Sequence, residues 1–210
     1  MTAALEFTGL RRAFGRLPVL AGVDGRATAG EVLLVTGSNG SGKSTLLRCL
    51  AGLLRPQGGT IRHHEDGQDL DAAERRHRVG WVAPDLAFYE PLTAFENLEL
   101  FCRLRGVAPR RAADLLAQLG VPPQRPAGAL SSGMRQRLRW GFALLHEPRV
   151  LLLDEPFQNL DAPGEEAARA LLASHLAHGL AVVATPSPLV VPGVARTLDL
   201  GAPAGARAAA

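Results

Sequence analysis

Residues 31–54 read EVLLVTGSNGSGKSTLLRCLAGLL, and the fold is decided here. Glu31 to Thr36 is an apolar run of strand length, and from Thr45 to Leu54 apolar residues recur at helical spacing. Between them Gly37-Ser38-Asn39-Gly40-Ser41-Gly42-Lys43-Ser44 fits G-x-x-x-x-G-K-[ST] in its required strand–loop–helix context. Glycines let backbone N–H groups close around a phosphate, and the helix start adds its dipole. Lys43 is expected to bridge the β- and γ-phosphates, Ser44 to bind Mg²⁺, and Thr45 to complete the site. The stretch therefore predicts an α/β domain that binds a nucleoside triphosphate.

Composition sharpens this reading. Of 23 basic residues, Lys43 is the sole lysine and all others are arginine. Lysine is a compact charge on a slim stem, whereas arginine is a planar fork, so the exception falls where a tight site needs it. The 210 residues, 47% hydrophobic, suffice for one large domain or two small lobes. No apolar run approaches the roughly 20 residues of a membrane span, and the N-terminus lacks a secretion signal. Cys49 and Cys102 have no metal-type spacing and read as reduced thiols of a cytosolic protein. The net charge is +3, and Arg75, Arg76 and Arg78, like the alternating Arg135, Arg137 and Arg139, read as solvated surface. Few aromatics accompany them, so no nucleic-acid partner is expected.

A second element of the site is RVLLLDEPFQNLD, 149–161. Val150 to Leu153 predict a buried strand with Asp154 and Glu155 at its end. The first carboxylate is placed to hold Mg²⁺ and the second to polarise an attacking water. Between loop and acids lies ALSSGMRQRLRWGFALLHEP, 129–148, where Ser131 or Ser132 caps a helix buried through Leu138, Phe142 and Leu145.

LSSGMRQRL resembles the signature of the ATP-binding cassette (ABC) ATPases, usually written LSGGQ. The resemblance spans about residues 5 to 200, with the motifs in the family's order. It implies a phosphate-loop NTPase fold with a mixed, largely parallel sheet core, an antiparallel β part and an inserted helical lobe at about 86–130. Residues 1–200 would form one nucleotide-binding domain, and 201–210 a disordered tail. It further implies two domains pairing head to tail around two ATP, as a homodimer or a heterodimer. Ser131, Ser132, Gly133 and Met134 would then face the partner's ATP. Phe14 matches the adenine-stacking aromatic, and Asn159, Leu160 and Asp161 match a loop that couples the two sites. The transport path would lie in a separate membrane permease, with this chain cytoplasmic on the membrane's inner face. Phe88, Tyr89, Pro91 and Leu92 are the candidate permease contact. The Ser-Ser-Gly-Met form of the signature and the compact chain resemble export-type subunits, among which the haem-exporter ATPases of cytochrome c maturation are similarly compact.

Two positions depart from the family pattern. Where a glutamine normally follows a strand, this chain has Pro84, with Asp85 next to it. Where a histidine contacts the γ-phosphate, AVVATPSPLV (181–190) has Pro186 after Thr185. His175 and His178 lie nearby in sequence but read as surface residues of the preceding helix. Three functions stay open: an ATPase slowed by these losses, an ATP-binding regulatory subunit with little hydrolysis, and a soluble nucleic-acid-linked ABC ATPase.

Overall fold

The computed structural model describes residues 3–186 and 193–201. Ser187 and Pro188, and the tail expected to be disordered, lie outside the described residues apart from Gly201. Strands β1 (Ala3–Phe14) and β2 (Leu17–Thr28) form a long antiparallel hairpin. Strand β3 (Val32–Thr36) leads through the phosphate loop into helix α1 (Lys43–Leu50). Strands β4 (Gly58–Glu65) and β5 (Gln68–Asp69) extend the hairpin sheet to the order β2-β1-β4-β5. Helix α2 (Ala72–Arg78) follows, opened by an Asp71–Glu74 capping box, and then β6 (Val79–Val82).

Segment 86–130 holds α3 (Ala94–Arg105), α4 (Arg110–Gln118) and a 3-10 turn at 127–129. The expected Thr93–Glu96 capping box starts α3, and Gly120, at φ 60°, turns the chain after α4. The chain ends with α5 (Ser132–Leu144), β7 (Val150–Asp154), α6 (Ala162–Leu176), β8 (Leu180–Ala184) and β9 (Val194–Asp199). Their strands join a parallel sheet ordered β6-β7-β8-β3-β9.

Alternation along the parallel strands builds two cores. Val150 and Leu152 of β7 and Val182 of β8 face α1 and the antiparallel sheet, together with Leu5, Phe7 and Val23. Leu151, Leu153 and Val183 face the other way, onto α3, α4, α5 and α6 through residues such as Leu98, Leu115, Leu138 and Leu172. Helix α1 has only eight residues, too few to be helical alone. Burial of Leu46, Leu47 and Leu50, about 1.5–3 kcal/mol each, holds it. Among the described residues, no helix is long and apolar enough to cross a membrane.

His175 corrects the surface reading made from its helix. It is 2% exposed, and its Nε2 sits 3.0 Å from the Leu180 carbonyl. A carbonyl only accepts, so the ring is held as the Nε2–H tautomer. Gly179 makes room, since a Cβ there would stand 2.5 Å from the ring. Arg137 and Arg139 likewise leave the solvated surface assigned to them. Both are tied to internal carbonyls, whereas Arg135 is exposed.

Burial pushes the His63, His146 and His175 imidazoles down to about 4. In the unfolded chain they titrate near the ordinary value of about 6.5. Between those values only the unfolded state takes up the protons, so stability falls as pH drops from 6.5 towards 4 and the penalty is constant below. Thermal melts are expected to lose midpoint between about pH 7 and about pH 5. His63→Met should make that loss shallower, and an unchanged slope contradicts the assignment.

Candidate functional site

Parallel register brings the chemistry to one edge. Val35 of β3 and Asp154 of β7 both pair with Ala184 of β8, so the three strands end in one row. The phosphate loop, Glu155 and Thr185 leave that row side by side. In open parallel sheets, ligands sit at such carboxyl ends.

In the loop Gly37, Gly40 and Gly42 have φ of 140°, 85° and 102°. A Cβ on Gly42 would lie 2.9 Å from Val19 Cγ1, and one on Gly37 would lie 2.6 Å from Ser41 Oγ. These two glycines are thus required by close approach as well as by backbone sign. Ser41 N–H donates to the Ser38 carbonyl at 3.1 Å, tightening the turn around Asn39. Lys43 is 5% exposed, and its Nζ donates to the carbonyls of Gly37 (2.7 Å) and Ser38 (3.0 Å). Helix α1 starts at Lys43 with no side-chain cap and no acid in its first turn, so its N-terminal dipole faces the loop. Ser44 and Thr45 follow within that turn, and Ser44 hydrogen-bonds Asp154.

Asp154 is 4% exposed at the end of β7. Burial pushes its carboxyl above the usual range, the Ser44 hydrogen bond pulls it back, and neighbouring Glu155 adds to the rise. Glu155 sits at φ 47°, a left-handed conformation that costs a non-glycine residue about 1–3 kcal/mol. Three hydrogen bonds hold it. Its N–H donates to Ala184 O at 2.9 Å, and its carbonyl accepts from Gln158 N–H at 3.2 Å and Gln136 Nε2 at 3.4 Å.

The remaining expected residues fall into three groups. Phe14, at the tip of the β1–β2 hairpin, is 49% exposed, with the Arg12 guanidinium 5.0 Å from its ring centroid. Ser131 rather than Ser132 caps α5, its Oγ accepting from Met134 N–H at 3.2 Å. Met134 packs partly into the core. Gly133 is pressed on the acidic loop, where a Cβ would stand 2.7 Å from Asn159 O. Asp161 caps α6 and receives a forked bond from Arg137 Nη2, at 3.0 and 3.1 Å. Helix α1 packs chiefly on β7, β8 and β2, and α5 on β6, α3, α4 and α6. Signature and phosphate loop therefore belong to opposite faces of the sheet.

Among the substituted positions, Pro84 is exposed and Asp85 is turned to Arg48 Nη2 of α1 at 2.8 Å. That ion pair engages the one carboxylate beside Pro84, so Asp85 is turned to Arg48 rather than standing in for the amide of the family's glutamine. Pro186 is exposed two residues beyond Ala184, close to the Glu155 turn. Phe88 packs edge-on against Phe142 at 6.2 Å, while Tyr89 is 60% exposed, which divides the proposed apolar contact. Sequence reasoning missed Gln136 and Trp140, which donate to Pro156 O of the acidic loop, and Arg139, which donates to Gln136 Oε1. The arginine spacing pointed only to Arg137, since i and i+4 share a helix face and i+2 lies opposite; no pattern in the sequence marks Gln136, Arg139 or Trp140.

The geometry agrees with an independent comparison: residues 20–158 match the model of the ABC transporter family. The chain belongs to that family. A cytochrome c biogenesis ATP-binding export protein, CcmA, of Rhodopseudomonas palustris is 37% identical over 95% of this cassette and 99% of its own length. An sn-glycerol-3-phosphate import ATP-binding protein of Rhizobium johnstonii is 38% identical over 80% of the cassette, which spans only 47% of that relative. A solved dimeric ATP-binding cassette, in a post-hydrolysis state with ADP and Pi, superposes with a TM-score of 0.80 at 25% identity. It covers 94% of this cassette, which covers 95% of that chain. The cassette is thus an ABC ATPase.

Because Gly133 abuts Asn159 O, Gly133→Ala is expected to lower unfolding stability by about 1–3 kcal/mol through forced displacement of the α5 start. Urea denaturation measures this, and an unchanged midpoint would show that the loop yields freely.

Proposed function

We propose that the protein hydrolyses ATP, slowly, within a head-to-tail pair of cassettes and so drives a separate membrane permease. The observation that carries this is the row at the strand ends, where a complete phosphate loop stands beside Asp154 and a pinned Glu155.

The residues divide the work as follows. The loop's N–H groups and the start of α1 take the phosphates, with Lys43 at the β- and γ-positions. An ammonium has three donors, and loop carbonyls hold two of them, which aims the group without exhausting it. A buried carboxylate raised by desolvation and bonded to a serine hydroxyl suits a divalent cation. No cluster of three or more His, Cys, Asp or Glu able to hold a metal occurs among the described residues. Two protein oxygens, from Ser44 and Asp154, with water and phosphate completing the shell, match Mg²⁺, which keeps several waters. When bound it neutralises phosphate charge. Glu155 orients the attacking water and accepts its proton. Phe14 offers an exposed ring for adenine, and Arg12 fixes that ring's position.

Separation of signature and phosphate loop on opposite faces of the sheet supports a second cassette at the γ-phosphate. Ser131, Ser132, Gly133 and Met134 would come from that cassette, and Asp161 would lie in the loop that couples the two sites. The permease contact is better sought in a cleft of about 430 Å³, lined by Leu53, Trp81, Leu86, Ala87 and Phe142, than on Phe88. Leu53, 65% exposed, forms its lip. Correspondence with the export protein over nearly the whole of both chains supports an export-type subunit on the inner membrane face.

Pro84 and Pro186 favour a second reading, a nucleotide-binding regulatory subunit, because neither ring offers a hydrogen-bond donor to water or phosphate. Steady-state ATPase assays separate the two. Glu155→Gln is expected to lower kcat at least about 100-fold while ATP still binds. A wild type no faster than this variant would establish the regulatory reading. Pro186→His is expected to raise kcat several-fold, and absence of any gain would show that the backbone beyond Thr185 has left the sensor geometry.

A further inference from the structure

We propose that Arg139 and Gln136 form a positioning relay that ties the connection after β6 to the turn carrying Glu155. The inference rests on the ATPase reading and adds to it a link between distant segments. Arg139 projects from α5, donating from Nη2 to Pro84 O at 2.7 Å and from Nε to Leu86 O at 3.0 Å. Its Nη1 donates to Gln136 Oε1 at 2.9 Å. Gln136 is 2% exposed, and its Nε2 donates to Pro156 O at 2.9 Å and to Glu155 O at 3.4 Å. Trp140 Nε1, one turn along the same helix, reaches Pro156 O at 2.9 Å. One helix face thus connects segment 84–86 with segment 155–156.

The order of these bonds sets their purpose. A guanidinium only donates, so it requires the amide oxygen of Gln136 to face it. That choice turns the amide N–H groups towards Glu155 and Pro156, both carbonyls. With the guanidinium gone, the amide is free to flip, and a buried donor would then face another donor or nothing. Glu155 has most to lose, since its left-handed backbone persists only while its surroundings over-determine it. The relay uses the backbone carbonyl of Pro84, so it operates whatever side chain stands there. Lysine would not replace Arg139, because three acceptors on separate segments need a planar fork.

Arg139→Met keeps the packed stem and removes the donors. In steady-state ATPase assays kcat is expected to fall about five- to tenfold with KM for ATP within about twofold, since the phosphate loop is untouched. Arg139→Met combined with Gln136→Met should be no slower than the slower single variant, because two members of one relay do not add. Hydrogen–deuterium exchange of the Arg139→Met protein gives a readout independent of turnover: faster exchange confined to 84–87 and 155–158. Unchanged exchange at those residues, loosening throughout α3 to α5, or multiplicative losses in the double variant would each overturn the relay. A wild type no faster than Glu155→Gln removes the ATPase reading instead, and exchange then decides the relay alone.

Discussion

The shared register of β3, β7 and β8 is the constraint on which the rest depends. Val35, Asp154 and Ala184 lie abreast because parallel strands pair with evenly spaced bonds and each side chain has only one face it can bury. A slip of one residue in β7 would send Leu151 and Leu153 to the wrong core and withdraw Asp154 from Ser44. Apolar packing therefore sets the distance between a carboxylate and a phosphate loop. The site inherits its accuracy from the core, and the bond from Glu155 N–H to Ala184 O extends the ladder one step beyond the strand to hold the acid proposed to act on water.

Much of this was legible in the chain. The phosphate loop could be read because glycine, lysine and serine spacing is a direct image of backbone geometry around phosphate. The acids at the end of an apolar run could be read for the same reason, and so could the Thr93–Glu96 cap. Strand order was less accessible, since β6 and β7 are separated by the whole of α3 to α5, and no local pattern records which edges meet. His175 was misread because a histidine in an amphipathic helix looks polar, and only Gly179 hints that a ring lies against the backbone. Arg137 and Arg139 were misread because long guanidinium groups satisfy carbonyls inside a fold while still counting as charge in a sequence pattern.

The two prolines gain meaning from their surroundings. Around Pro84 the structure has moved the contacts to its carbonyl, taken by Arg139, and given Asp85 to Arg48. At Pro186 the ladder continues only as far as Thr185, whose N–H donates to Val35 O at 3.0 Å. The first departure is thus absorbed into a hydrogen-bond pattern of its own, while the second is the one that the proposed reading ties to turnover. On the proposed reading, the cassette keeps the groups that bind and activate and alters those that report between segments.

Lys43 has one further consequence, in chemical modification rather than catalysis. A chain terminus aside, it carries the only primary amine in the protein, and it is almost wholly buried beside two carbonyls. Amine-directed reagents, cross-linkers and lysine-modifying enzymes therefore find no foothold on the rest of the surface. Whatever acylates a side-chain amine within these 210 residues must reach into the loop around Lys43 to do so, and on the proposed reading a bound triphosphate would shield the one place it could react.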